Sequence, residues 1–181
     1  GTERYAKLAS SDRVIMVESG LDRVFRKTTF DLRDKTILDI EALDVDHVEI
    51  DVTDSTIGFD KLDGDWRMVD PWNVRADYST VQGLVGRLSS GQMQSVVSED
   101  PMLDAEGEVD PLEAYGLSDP AATATVRAGS ATATLRLGSA VSSARYAQDA
   151  SRSLVFTVEE SLGTDIERGP GEYRDKSLFG F

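Results

Sequence analysis

The amino-acid sequence predicts an α+β fold of antiparallel β-hairpins and sheets with a few packing helices, built from an internally repeated unit of about 140 residues. Three observations lead to this expectation. Short stretches of alternating apolar and polar residues are separated by tight-turn sequences. One longer stretch has the periodicity of an amphipathic helix, and the beginning of the chain resembles its end.

The repeat is visible without gaps: residues 4–40 align with residues 145–181 at a shift of 141 positions. Twelve of the 37 aligned pairs are identical, against roughly two or three expected by chance from ordinary composition. We therefore divide the chain into residues 1–40, which open one repeat unit, residues 41–144, which complete it, and residues 145–181, which open the next. Because a unit only begins at residue 145, we expect the natural protein to continue beyond Phe181.

Each repeat opening predicts a short strand, a polar turn, a second strand and a short helix. The predicted elements are 4–6, 13–17 and 19–26 in the first copy, and 145–147, 154–158 and 160–167 in the second. A charged triplet follows each helix. Because a feature that recurs with the unit indicates architecture, we interpret this triplet as a structural repeat motif and not as a catalytic group. Its residues are Arg33, Asp34, Lys35, Arg174, Asp175 and Lys176.

The middle of the chain predicts further strands and one helix. Strict alternation over residues 47–53 is typical of a half-buried strand. Two hairpins are predicted, over residues 56–69 around Asp63-Gly64 and over residues 122–137 around Gly129-Ser130, because these pairs suit tight turns.

The helical pattern covers residues 80–90. Ser79 is its predicted N-cap, Gln82 would complete a capping box, and Gly91 would end the helix. The acidic segment 98–119 is rich in Pro and Gly and predicts mostly loop.

Composition excludes several classes of function. The chain has 19 basic and 33 acidic residues, a formal net charge of −14, so it repels phosphate backbones and nucleic acid is a poor partner. It has no Cys, which removes disulfides, thiolate metal sites and thiol nucleophiles. No apolar run is long enough to span a membrane.

The sequence holds no recognisable catalytic grouping. The single histidine, His47, starts a predicted strand, and no motif for hydrolysis, zinc or nucleotide binding is present. The carboxylates Asp60, Asp63 and Asp65 crowd a hairpin turn, but they lack calcium-loop spacing and the turn itself accounts for them. We therefore expect no catalytic residue, no metal and no cofactor.

Two alternatives to a plain interaction module stay open. Trp72 and Tyr78, together with the acidic residues Asp104 and Asp110, form a candidate platform for a glycan or a peptide, whereas Trp66 is expected in the core. An enzyme that uses two facing carboxylates with a raised pKa is the other alternative.

Several motifs resemble one known family. Leu32-Arg-Asp-Lys35, Trp66 after Asp-Gly, Tyr115-Gly-Leu-Ser-Asp-Pro120, Leu135-Arg-Leu-Gly138 and Tyr146-Ala147 leading into Leu154–Val158 are similar to the family called domain of unknown function 4340 (DUF4340). The resemblance covers nearly the whole chain.

This resemblance implies a bacterial protein held in the membrane by an N-terminal segment outside the present chain, with its repeats in the periplasm or cell envelope. It further implies that relatives are often encoded beside ABC transporter components of the type linked to gliding motility. Together with the recurring unit and the lack of catalytic groupings, this leads us to expect a non-catalytic accessory module with a protein partner such as an ABC transporter subunit.

Overall fold

The computed structural model describes residues 3–7, 9–53, 55–104 and 110–177. The chain forms two compact units, Gly1–Asp34 and Lys35–Phe181. In three dimensions the described residues beyond position 144 therefore belong to the same unit as the middle of the chain. The mixed α and β character with antiparallel sheets is confirmed.

The first unit is a hairpin followed by two short helices. Strands β1 (Glu3–Lys7) and β2 (Val14–Glu18) form a two-stranded antiparallel sheet, and α1 (Ser19–Phe25) and α2 (Thr29–Leu32) follow. A capping box begins α2: the Thr28 hydroxyl accepts a hydrogen bond from the Asp31 N–H at 3.2 Å. In return, the Asp31 carboxylate accepts one from the Thr28 N–H at 2.8 Å.

Among the described residues, the second unit contains one sheet of nine strands, in the order β6-β5-β4-β3-β8-β9-β10-β11-β7, and every neighbouring pair is antiparallel. Its strands are β3 (His47–Val52), β4 (Ser55–Leu62), β5 (Asp65–Asp70), β6 (Val74–Arg75), β7 (Ser95–Ser98), β8 (Ala122–Ala128), β9 (Ala131–Val141), β10 (Ala144–Asp149) and β11 (Val155–Glu159). Its helices are α3 (Tyr78–Ser90), α4 (Pro101–Asp104), α5 (Glu160–Ile166) and α6 (Pro170–Tyr173), with a 3-10 turn at Glu113–Tyr115.

Both hairpins predicted in the middle of the chain are present as β4–β5 and β8–β9. In the first of them Asp63 and Gly64 have φ angles of 53° and 89°, the left-handed conformation that a tight turn with the twist of its strands requires. The predicted helix is present too, and its apolar residues Val81, Leu84, Val85 and Leu88 are buried. These elements were predictable because their signals are local in sequence.

The predicted N-cap of α3 is wrong. Asp77, not Ser79, caps the helix, and its carboxylate accepts hydrogen bonds from the Thr80 N–H at 2.8 Å and from the Ser79 hydroxyl at 2.7 Å. The side chain of Gln82 does not form a capping box, because its amide oxygen accepts from Trp66 Nε1 at 3.1 Å. Hydrogen bonds from Ser79 and Thr80 lower the pKa of the Asp77 carboxyl from its ordinary value of 3.8.

The segment 98–119, predicted as mostly loop, contains the short helix α4 and the 3-10 turn. Strand β7, just before it, was not predicted. Its four residues are too few to show alternation, and it forms by pairing with β11, which is distant in sequence.

Helix α3 connects strands at opposite ends of the sheet order, β6 and β7. Its ends are tied to the rest of the unit through the backbone. The Ala76 N–H donates to Trp66 O at 3.1 Å before the helix, and the Ile37 N–H donates to Gly91 O at 3.1 Å after it. The Gln94 N–H then donates to Thr157 O of β11 at 2.7 Å. This bond precedes β7, which pairs with β11.

The end of the described chain returns to the start of α3. The Asp77 N–H donates to Tyr173 O at 2.7 Å, and the buried ring of Tyr173 meets that of Phe59 edge-on at 5.1 Å. The Tyr173 hydroxyl donates to Asp165 O at 2.5 Å, and burial raises the pKa of this phenol to about 12. Tyr173 therefore packs as a neutral core residue.

The turn around the 3-10 helix rests directly on β9. Gly116 has a φ of 67°, and a Cβ on Gly138 would lie 2.1 Å from Tyr115 O and 3.1 Å from Leu117 Cγ. Since the first of these atoms belongs to the backbone, it cannot move aside by a rotamer change. Only glycine at position 138 allows the backbone of Tyr115 to lie this close to β9.

We expect Gly138→Ala to lower the free energy of unfolding by about 1–3 kcal/mol, the usual cost of overpacking a tight contact. The control is Gly86→Ala within α3, where a Cβ meets no atom within 4 Å. This variant should raise the free energy of unfolding by roughly 0.5–1 kcal/mol, because Ala favours helix over Gly. Urea unfolding measures both, and equal effects of the two variants would contradict the assigned contact.

We expect Asp77→Ala to lower the free energy of unfolding at pH 7 by about 1 kcal/mol through loss of the cap. Because the folded-state pKa of Asp77 is depressed, its stabilisation is present above the unfolded value and is lost as pH falls through the folded value. The stability difference between wild type and variant should therefore shrink below about pH 4. The matched control, Ser79→Ala, leaves the carboxylate in place and should cost less; thermal unfolding across this pH range checks both expectations.

Candidate functional site: an exposed apolar surface

The two related segments of sequence have the same local structure. We call residues 3–32 the first hairpin element and residues 144–173 the second. Shifted by 141 positions, β2, α1 and α2 coincide in both bounds with β11, α5 and α6, and β1 coincides with the first five residues of β10. All five pairs in the register of the first hairpin have equivalents in the second; for example, Arg4 lies opposite Val17 and Arg145 opposite Val158.

The two elements differ in burial. Large apolar side chains of the second element are nearly inaccessible: Val155, Phe156, Leu162, Ile166 and Tyr173 are all 4% exposed or less. Their counterparts in the first element are exposed: Val14 by 57%, Ile15 by 46%, Leu21 by 45%, Phe25 by 81% and Leu32 by 72%. With Tyr5, Met16 and Val24, also exposed, these residues make up what we call the apolar surface of the first hairpin element.

The second element is buried because its hairpin is inserted between two other strands. Strand β10 pairs with β9, placing Ala147 opposite Leu137, and β11 pairs with β7, placing Phe156 opposite Val96. Both outer edges of the second hairpin are therefore hydrogen-bonded, whereas the sheet that contains β1 and β2 consists of those two strands.

Helix α5 of the second element is held by α3. Arg87 of α3 donates to the Ser161 backbone oxygen at 3.3 Å and to the Ser161 hydroxyl at 2.8 Å, and it forms an ion pair with Asp165. Arg87 lines two cavities of about 260 and 380 Å³, and Asp165 lines the larger of them. The cavities belong to the seam between α3 and α5.

Two ion pairs from one arginine hold α5 on its hairpin. Arg145 of β10 forms ion pairs with Glu160, at 3.0 Å, and with Glu167. Burial opposes the charge of Arg145, but its hydrogen bonds with the two glutamates outweigh that effect and raise the pKa of the guanidinium. A Cβ on Gly163 would lie 3.0 Å from Arg145 Nε, so glycine makes room for the guanidinium.

Two of the predicted ligand residues are partly exposed at one end of the sheet. Trp72 follows the cis peptide bond between Asp70 and Pro71 and is 46% exposed, and Tyr78 begins α3 and is 47% exposed. Both flank β6, the first strand of the sheet order. Trp66 is buried, as expected.

The two predicted acidic ligand residues lie elsewhere. Asp104 ends α4, after β7 at the other end of the sheet order, and accepts a hydrogen bond from the Ser98 hydroxyl. Asp110 accepts from the Leu112 N–H at 2.9 Å, and this bond with one from Ser118 lowers the pKa of its carboxyl. Asp110 lines a shallow cavity of about 390 Å³ whose lining includes none of the other three predicted ligand residues.

The described residues contain no group of three or more His, Asp or Glu side chains arranged to hold a metal ion. His47 Nδ1 and Asp60 Oδ1 lie 2.6 Å apart across strands β3 and β4. Hydrogen bonds lower the pKa of the carboxyls of Asp77, Asp110 and Asp175, whereas an acid catalyst at neutral pH requires a raised one.

The second copy of the charged repeat motif joins the end of α6 to β6. Asp175 lies 3.5 Å from Arg75 Nε and its N–H donates to Arg75 O at 3.1 Å, while Lys176 forms an ion pair with Glu172 at 3.1 Å. Arg174 forms an isolated β-bridge with Ala76. In the first copy, Arg33 is the C-cap of α2, Asp34 ends the first compact unit, and the Lys35 carbonyl accepts from the Met93 N–H at 2.8 Å.

The family model for domain of unknown function (DUF4340) matches residues 66–181. The chain belongs to this family. The DUF4340 match begins within β5 and so covers about two thirds of the chain, less than the motifs indicated, and the motif at Leu32–Lys35 lies outside it. Neither a curated protein nor a solved structure shows significant similarity to the chain. Across the described parts of this DUF4340 chain, no helix is long and apolar enough to cross a membrane.

The sequence prediction did not nominate the apolar surface of the first hairpin element. A signal was present, because Val14, Leu21 and Phe25 are matched by apolar residues in the second copy. Whether these side chains are exposed, however, depends on which strands lie beside the hairpin. The apolar sequence pattern is similar in the exposed first element and the buried second element, so it cannot distinguish them.

We expect Phe156→Ala to lower the free energy of unfolding of the second unit by about 3–5 kcal/mol, because it leaves a cavity in a fully buried site. Ile15→Ala removes the equivalent side chain of the first element and should cost less than about 1 kcal/mol, because Ile15 is already half exposed. Guanidinium unfolding of both variants makes the comparison. A loss in Ile15→Ala as large as that in Phe156→Ala would show that the apolar surface is covered in the isolated chain.

Proposed function

We propose that this chain is a non-catalytic interaction module, and that the apolar surface of the first hairpin element is its docking site for a protein. One observation carries the proposal: apolar side chains at equivalent positions are exposed in one element and buried in the other. Val14 and Ile15 are successive residues of β2, so the hairpin exposes apolar side chains on both of its faces. Covering such side chains yields roughly 25 cal/mol for each Å² removed from water.

The backbone of the first hairpin supports the same proposal. An isolated two-stranded hairpin is only marginally stable in water, so β1 and β2 gain stability from any strand that pairs with their outer edges. A partner can therefore bind by adding strands, which supplies main-chain hydrogen bonds together with apolar contacts.

We further propose a cellular setting for the module. We place the module outside the cytoplasm, in the periplasm or cell envelope of a bacterium, as part of a protein anchored in the membrane by a segment outside this chain. Subunits of an ABC-type transport system are the proposed partners of the anchored protein as a whole. An internally repeated unit of about 140 residues would let such a protein present several copies of the same module.

The test is crosslinking of the intact protein in its own cells, followed by affinity purification and mass spectrometry. Ile15→Asp places a charge in the apolar surface, and we expect it to abolish recovery of the specific partners. Leu43→Asp is the matched control, because Leu43 is 86% exposed but belongs to the second unit. Partner recovery that is unaffected by Ile15→Asp would refute the proposed docking site.

A further inference from the structure

We propose that the partner of the first hairpin element is a second copy of the sheet formed by residues 35–143, which the element completes as residues 144–173 complete the sheet of the present unit. This inference rests on the proposed function, because it names the partner of the same apolar surface. The second hairpin element serves as the template, since the structure shows what covers each of its positions.

The backbone of the first hairpin fits the template. A hairpin with the register of β1 and β2, placed where β10 and β11 lie, would set Ala6 opposite Leu137 of β9. On its other edge, Val14 and Ile15 would lie opposite Ser98 and Val96 of β7. Both outer edges of the hairpin would then be paired, and β9 and β7 would each gain the neighbour that β10 and β11 provide in the present unit.

The large apolar side chains of the first element match those that are buried in the second. Val14 and Leu21 are identical to their buried counterparts Val155 and Leu162. Three further substitutions keep apolar character, with Ile15 in place of Phe156, Phe25 in place of Ile166 and Leu32 in place of Tyr173. Tyr5 retains the aromatic ring that in Tyr146 meets Tyr115 edge-on at 5.3 Å.

The charges are complementary. Residues 1–34 contain seven basic and six acidic side chains, whereas residues 35–143 contain seven basic and 20 acidic ones. The hairpin element is thus slightly positive and its proposed partner strongly negative, so attraction acts within the Debye length of about 8 Å at physiological salt.

The partner sheet must lack its own closing hairpin, because a hairpin tethered in the same chain competes at high effective concentration. A copy of residues 35–143 joined to Glu3 in place of Gly1 and Thr2 meets this condition. Since Glu3 is equivalent to Ala144, a peptide bond from Ser143 to Glu3 reproduces the connection found between β9 and β10. The first hairpin element would then follow its sheet as the second one does.

In the experiment, a second copy of residues 35–143 replaces Gly1 and Thr2 at the start of the chain, with its Ser143 joined to Glu3. Hydrogen exchange followed by mass spectrometry reports on residues 3–32. We expect the amides of β1 and β2 to exchange at least about 100-fold more slowly than in the parent chain, as strands paired on both sides do. Ile15→Asp in the extended chain should abolish this protection, and Leu43→Asp in both copies of the sheet should leave it.

A second arm covers the case in which the added segment fails to fold. In the parent chain, residues 144–173 are replaced by the sequence of residues 3–32. We expect this graft to unfold cooperatively with β9 and β7 protected, and the same graft carrying Ile15→Asp to lose that protection.

Unchanged exchange of residues 3–32 in a folded extended chain would overturn the inference, as would a graft that fails to form the sheet. Either result would leave the partner capture of Ile15→Asp and Leu43→Asp unaffected, so failure of this inference is distinguishable from failure of the proposed function.

Discussion

Insertion of the β10–β11 hairpin between β9 and β7 is the interaction on which the second unit depends. Without it, the strands from β6 to β9 would form one sheet and β7 would have no neighbour. The main attachments of α3 would weaken too, since Arg87 binds α5 and the backbone after the helix binds Thr157. Phe156 sits at the centre of this insertion and is fully buried, so the hairpin contributes both strand pairing and core.

The first unit shows the same hairpin and helices without that insertion. Its strand bounds, its register and its helix bounds repeat those of the second element, yet its large apolar side chains are exposed to solvent. The comparison separates two contributions that are usually mixed. Local signals define the conformation of each element: a capping box of Thr28 and Asp31 begins α2, and Pro170 begins α6. Burial requires strands supplied from elsewhere.

The same separation explains how far prediction from the sequence reached. The hairpin at Asp63-Gly64, the alternating strand at residues 47–53 and the buried face of α3 have local signals, and all were predicted. Strand β7 and the N-cap at Asp77 were missed, the first because it forms by distant pairing and the second because Ser79 offers an equally good cap in sequence alone. Trp72 and Asp110 were chosen by residue type, and residue type does not report that they lie in different parts of the fold. The apolar surface was not predicted, because the exposure of a side chain depends on which parts of the chain pack against it.

The position of the closing hairpin along the chain has a consequence for synthesis. Strands β3, β4, β5, β8 and β9 pair with neighbours close in sequence or already made, so they can assemble as the chain leaves the ribosome. Strands β10 and β11 emerge last. Until they do, β9 and β7 present unpaired edges, the feature of partly folded chains that most readily leads to association with other chains. Each sheet of this design is therefore vulnerable for the time needed to translate its last two strands, and every additional copy in a longer chain would repeat that interval.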